Sequence, residues 1–109
     1  MSTEEKIQKL ADQMNNNPEH IQHLERTYHF ELKTEGLHGI AFTGGSVQVQ
    51  SNPVPGEADC VLKMSDKNFE KLLDGDWNPT TAYMTGQLKI DGEISHALKL
   101  HHVVKQYQS

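Results

Sequence analysis

The chain has 109 residues, with 15 acidic against 10 basic side chains and a net charge of −5. That length fits one domain spanning 1–109 and is too short for two, and a composition 35 % apolar and 6 % aromatic allows only a lean core. The basic residues are scattered, which argues against nucleic-acid binding, and the acidic balance leaves at most transient contact with a membrane.

The first segment reads as a helix. Ser2 and Glu5 make a capping box, and Ile7, Leu10, Ala11 and Met14 fall at i, i+3, i+4 and i+7. Asn15-Asn16-Asn17 stops it, and Pro18 opens a second short helix with Asn17 as its cap and Ile21 and Leu24 on its buried side. The period then changes to two. Tyr28, Phe30 and Leu32 alternate with His29, Glu31 and Lys33, the pattern of a half-buried strand. Ile40 and Phe42 share one face of the next strand, Gly44-Gly45 turns the chain, and Val47 and Val49 alternate with Gln48 and Gln50, so that three strands form an antiparallel meander.

Asn52 to Gly56 is a loop by its prolines and glycine. A fourth strand follows, with Cys60, Leu62 and Met64 on one face. Ser65-Asp66 caps a third helix burying Phe69, Leu72 and Leu73 before Gly75. Asn78-Pro79 opens a short helix carrying Ala82, Tyr83 and Met84, and Gly86 closes it. Leu88 and Ile90 mark a fifth strand, and Asp91-Gly92 turns the chain into a last helix. There Ile94, Ala97, Leu98, Leu100, Val104 and Tyr107 make a broad apolar stripe. The expected strands lie near 28–34, 38–43, 46–51, 59–64 and 87–91, and the last helix near 94–107. The fold class is α+β: a five-stranded, largely antiparallel sheet with about five helices packed on one face.

The run Asp76-Trp77-Asn78-Pro79-Thr80-Thr81-Ala82-Tyr83-Met84-Thr85-Gly86-Gln87-Leu88-Lys89-Ile90-Asp91-Gly92 resembles the central signature of the sterol carrier protein 2 family. The strand-to-helix passage from Ala58 to Asp66 and the helix containing Ala97-Leu98-Lys99-Leu100 stand where that family has them, so the resemblance covers nearly the whole chain. It implies a non-catalytic protein that holds an elongated lipid in a tunnel between the sheet and the later helices. The ligands it implies are fatty acids, fatty acyl-CoA, phospholipids and sterols. Cavity-lining residues expected on that basis are Phe30, Ile40 and Phe42 from the meander, and Trp77, Ala82, Tyr83, Met84, Leu88 and Ile90 from the signature. Leu98 and Val104 would come from the last helix. The closing Tyr107-Gln108-Ser109 is not a peroxisomal address, which suggests a stand-alone bacterial-type member and counts against a sterol ligand.

No catalytic constellation accompanies these patterns. Cys60 is the only cysteine, so no internal disulfide can form, and its place on an apolar strand face predicts a buried, inert thiol. Seven histidines are many for this length. His20 and His23 at i, i+3 have no acidic or sulfur partner, and the adjacent His101 and His102 point about 100° apart on a helix. Solvated histidines and no metal are expected. Gly44-Gly45 is a hairpin turn, not a phosphate loop, and Asp74, Asp76 and Asp91 sit where turns favour Asp. No cofactor is implied. The N-terminus has no signal-peptide pattern and no apolar run is long enough to span a bilayer, so the expected location is the cytoplasm and the expected partner a hydrophobic small molecule. A structural or interaction domain with a filled core, or an accessory factor presenting a lipid to a separate enzyme, remain as alternatives.

Overall fold

Ser2 starts the first helix as a capping box requires: Glu5 N donates to Ser2 Oγ at 3.1 Å, and Ser2 N donates to Glu5 Oε1 at 3.4 Å. The structure, a computed structural model, describes residues 2–108. The first helix, α1 (Thr3–Asn16), buries Ile7, Leu10, Ala11 and Met14. The expected second helix is only a 3-10 turn, Pro18–His20, and the Asn17 side chain makes no capping bond to it. Ile21 and Leu24 are buried all the same, from the turn that follows.

The strands are β1 (Arg26–Leu32), β2 (Gly36–Thr43), β3 (Ser46–Ser51), β4 (Cys60–Met64) and β5 (Lys89–Asp91). Their order in the sheet is β3-β2-β1-β4-β5. Both pairings of the meander and the β4–β5 pairing are antiparallel, but β4 runs parallel to β1, with Tyr28 opposite Cys60 and Phe30 opposite Leu62. The sheet is therefore mixed. To place β4 parallel to β1, the connector after β3 must travel from one edge past two strands. It does so across the face opposite the helices, pressing Pro53 toward Gly39 of β2. Asp59 fastens its end: Thr27 N donates to Asp59 Oδ2 at 2.8 Å, and Asp59 N donates to Thr27 O at 2.9 Å.

Ser65 Oγ accepts from Asn68 N and starts α2 (Asp66–Leu73), while Asn78 Oδ1 accepts from Thr80 N and Thr81 N and starts α3 (Pro79–Met84). The last helix is α4 (Ile94–Gln106), burying Ala97, Leu100, Val103 and Val104. Among the described residues, four α-helices and one 3-10 turn stand where about five helices were expected. The helices cover the sheet face carrying Tyr28, Phe30, Ile40, Phe42, Val47, Cys60 and Leu62, and all of these join one core with Phe69, Leu72 and Leu88. Phe30 packs on Phe69 with ring centroids 4.8 Å apart.

Candidate functional site

Between α1 and the sheet lies a small space walled only by apolar side chains: Ile7, Leu10, Ala11 and Met14 from the helix, Phe30, Ile40 and Val47 from the sheet, and Leu73 from the end of α2. Its volume is about 10 Å³, no more than a single water needs, so the seam is closed. Immediately outside it is a cleft of about 170 Å³ lined by Lys6, Lys9, Leu10, Gln13, Leu73, Asp74 and Gln108. Leu10 and Leu73 belong to both. They form a common wall, apolar on the inner side and flanked by polar groups on the outer. Lys6 is held by Glu70, whereas Lys9 makes no ion pair among the described residues.

Side-chain hydrogen bonds tie the helical layer to the sheet. Asn15 grips β3 with both amide atoms: Val47 N donates to its Oδ1 at 2.8 Å, and its Nδ2 donates to Val47 O at 2.9 Å. Tyr28, fully buried in the centre of the sheet, donates its hydroxyl to His96 O in the first turn of α4 at 2.7 Å. Burial pushes the Tyr28 phenol up to about 12 and the neighbouring Cys60 thiol up to about 11, because an anion there would be stripped of water. At the other end of α4, the Tyr107 hydroxyl donates to Asn17 O at 2.6 Å.

The sequence-derived lining residues divide into three groups. Phe30 and Ile40 line the seam. Phe42, Trp77, Ala82, Leu88 and Val104 are buried in the same core, and Ile90 is partly buried against it. Tyr83, Met84 and Leu98 instead face solvent, at 48, 79 and 37 % exposure, so none of the three bounds an interior space in this conformation. The six residues of α3 bury only Pro79 and Ala82, which leaves the end of the helix exposed. The space also lies under the first helix, not under the later helices where it was expected. Leu10 and Leu73 were visible in the sequence as helix core positions, but nothing in their spacing signalled that they meet.

The expectation of solvated histidines fails at His29, which is 1 % exposed on the sheet face away from the helices. The connector that crosses this face covers it, and with Gln50 and Pro53 it closes over Gly39. His20 stacks edge-on against Tyr107 at 5.4 Å, while His23 is exposed. Among the described residues, no three His, Cys, Asp or Glu side chains are grouped to hold a metal ion.

Comparison with known proteins gives the same outline. The model of the SCP-2 sterol transfer family matches residues 5–105. The hydroxysteroid dehydrogenase-like protein 2 of Xenopus tropicalis is 34 % identical over 92 residues, covering 83 % of this chain and 22 % of that protein. The chain thus spans about a fifth of the length of such relatives. A fatty acid-binding protein of Yarrowia lipolytica is 31 % identical over 77 residues, covering 71 % of this chain and 60 % of its own. Among solved structures, the apo form of sterol carrier protein 2 from Yarrowia lipolytica superposes with a TM-score of 0.70 at 28 % identity, covering 92 % of this chain and 87 % of that one.

Proposed function

Because the chain belongs to the SCP-2 sterol transfer family, we propose that it is a non-catalytic carrier of a single-chain amphiphile, a fatty acid or an acyl ester of similar shape. The observation that carries this reading is the wall shared by the apolar seam and the polar cleft, Leu10 and Leu73. A tail passing between these two side chains enters a lining with no polar group, while its head stays at Lys6, Lys9 and Gln13. Each square ångström of tail removed from water contributes roughly 25 cal/mol, so the tail supplies the affinity and a single cationic contact fixes the orientation. The fatty acid-binding relative supports this ligand class.

The seam must widen to admit a chain, by movement of α1 and α2 away from Phe30 and Ile40. Phe42, Ala82, Leu88 and Val104 belong to the same core. The work of opening is subtracted from the affinity of the opened form. A closed seam of this size also favours one second reading, a family member with a permanently filled core.

Titration with a fluorescent long-chain fatty acid decides between them. A carrier binds it in the micromolar range, about −8 kcal/mol, and its melting temperature rises with ligand concentration. Lys9→Glu weakens the fatty acid severalfold and leaves the corresponding fatty alcohol unaffected. Saturating fatty acid with no change in melting temperature leaves the filled-core reading in its place.

A further inference from the structure

A second surface stands apart from the Lys6–Lys9 cleft and combines two features that point to one partner. The stretch from Trp77 to Leu88 contains no charged residue, in a chain that is 23 % charged. Its last part, Tyr83 to Gln87, is exposed throughout and carries Met84, the most exposed large apolar side chain among the described residues, beside Tyr83. An exposed Tyr-Met pair is an unfavourable thing to leave in water and suits the boundary between headgroups and acyl chains.

The second feature is charge. Gly86 and Gln87, directly after this knuckle, form one side of a depression of about 520 Å³ whose other sides are Glu31, Leu32, Lys33, Lys63, Met64 and Lys89. Three lysines and one glutamate line it, with Asp91 beside Lys63, which leaves a small local excess of positive charge in a chain whose net charge is −5. Lys63 lies between Glu31 at 4.0 Å and Asp91 at 3.6 Å. Lys33 and Lys89 are exposed and make no ion pair among the described residues. The overall acidity of the chain argues against tight adhesion to anionic membranes, but local potential within about a Debye length, roughly 8 Å at physiological salt, depends on these nearest charges.

We propose that this end of the molecule docks on an anionic lipid bilayer, with Tyr83 and Met84 entering the interface while Lys33 and Lys89 meet lipid phosphates. Docking here does not require the ligand seam, so the two are separable by experiment. The test is co-sedimentation with vesicles of phosphatidylcholine alone and of phosphatidylcholine mixed equally with phosphatidylglycerol, at low and physiological salt. The expected result is binding to the mixed vesicles that weakens as salt is added and is weaker on the neutral ones. The double variant Lys33→Gln/Lys89→Gln should lose on the order of twenty-fold, at about five-fold for each lysine near the surface, and Tyr83→Ser/Met84→Ser should lose severalfold. Val54→Ser, which alters an exposed apolar residue in the connector after β3, should change nothing.

All five altered residues are exposed, so melting temperatures should stay within a few degrees and folding does not confound the result. Absence of binding to the mixed vesicles overturns the proposal. So does full binding by the lysine variant, or a self-association that Met84→Ser abolishes while vesicle binding is untouched. Fatty-acid titration of the same proteins separates the two claims: docking without fatty-acid binding removes the carrier reading alone, and fatty-acid binding without docking removes this one alone.

Discussion

Removing one oxygen from the centre of the sheet should make the protein less stable near neutrality and more stable at high pH. Tyr28→Phe deletes the hydroxyl that donates to His96 O and leaves the ring, which packs edge-on against Phe42 with centroids 6.0 Å apart. At pH 7 the loss is that of one net hydrogen bond, about 1 kcal/mol. At alkaline pH a second effect opposes it. The phenol ionises near 10 in the unfolded chain but is held to about 12 in the folded one, so the folded state binds its proton more tightly. The stabilisation this gives is complete below pH 10 and is lost as pH rises toward 12.

Every tenfold difference in proton affinity between the folded and unfolded chain corresponds to about 1.4 kcal/mol. The wild type therefore forfeits about 1.4 kcal/mol at this group by pH 11 and roughly 2 kcal/mol by pH 12, losses that phenylalanine cannot suffer. The two stability curves should cross between about pH 10.5 and 11. Urea denaturation of both proteins at intervals from pH 7 to 12 reads this directly. The surface lysines titrate in both proteins and cancel in the difference. A variant that stays less stable by a constant margin at every pH would show that the Tyr28 phenol is not desolvated in the folded state.

Three further outcomes test other parts of the structure. Cys60 should resist alkylation at pH 8 until the protein unfolds, because the thiol is buried and pushed up to about 11, and labelling that is rapid in native buffer contradicts this. Asn15→Ala removes both hydrogen bonds from α1 to Val47 and leaves that edge of β3 without them, so urea denaturation should show a loss of about 2 kcal/mol; a loss under about 0.5 kcal/mol would mean that these two bonds add little to the hold on α1. Leu98→Lys should shift stability by no more than about 0.5 kcal/mol, as at an exposed site, while Leu100→Lys, at a fully buried neighbour, should prevent folding; equal effects at the two sites in thermal melts would contradict the orientation of α4.

What the sequence determined by itself was local and periodic. Ile7, Leu10, Ala11 and Met14 repeat at helical spacing, and Tyr28, Phe30 and Leu32 alternate, because a regular backbone turns each period into one buried face. The caps at Ser2, Ser65 and Asn78 form as their residue types require, since a short side-chain oxygen reaches the free amide groups of a first turn. These signals, with the Asp76–Gly92 signature, were enough for the order of elements and the family. Periodicity states which face is buried but not what covers it, and there the tertiary structure decided. The parallel β1–β4 pairing sends a connector across the far face and buries His29, which alternation had assigned to solvent. The short α3 leaves Tyr83 and Met84 outside. Lys6, Lys9, Leu10 and Leu73 make one cleft only because α1 and the end of α2 meet over the sheet, a long-range contact to which no local spacing is sensitive.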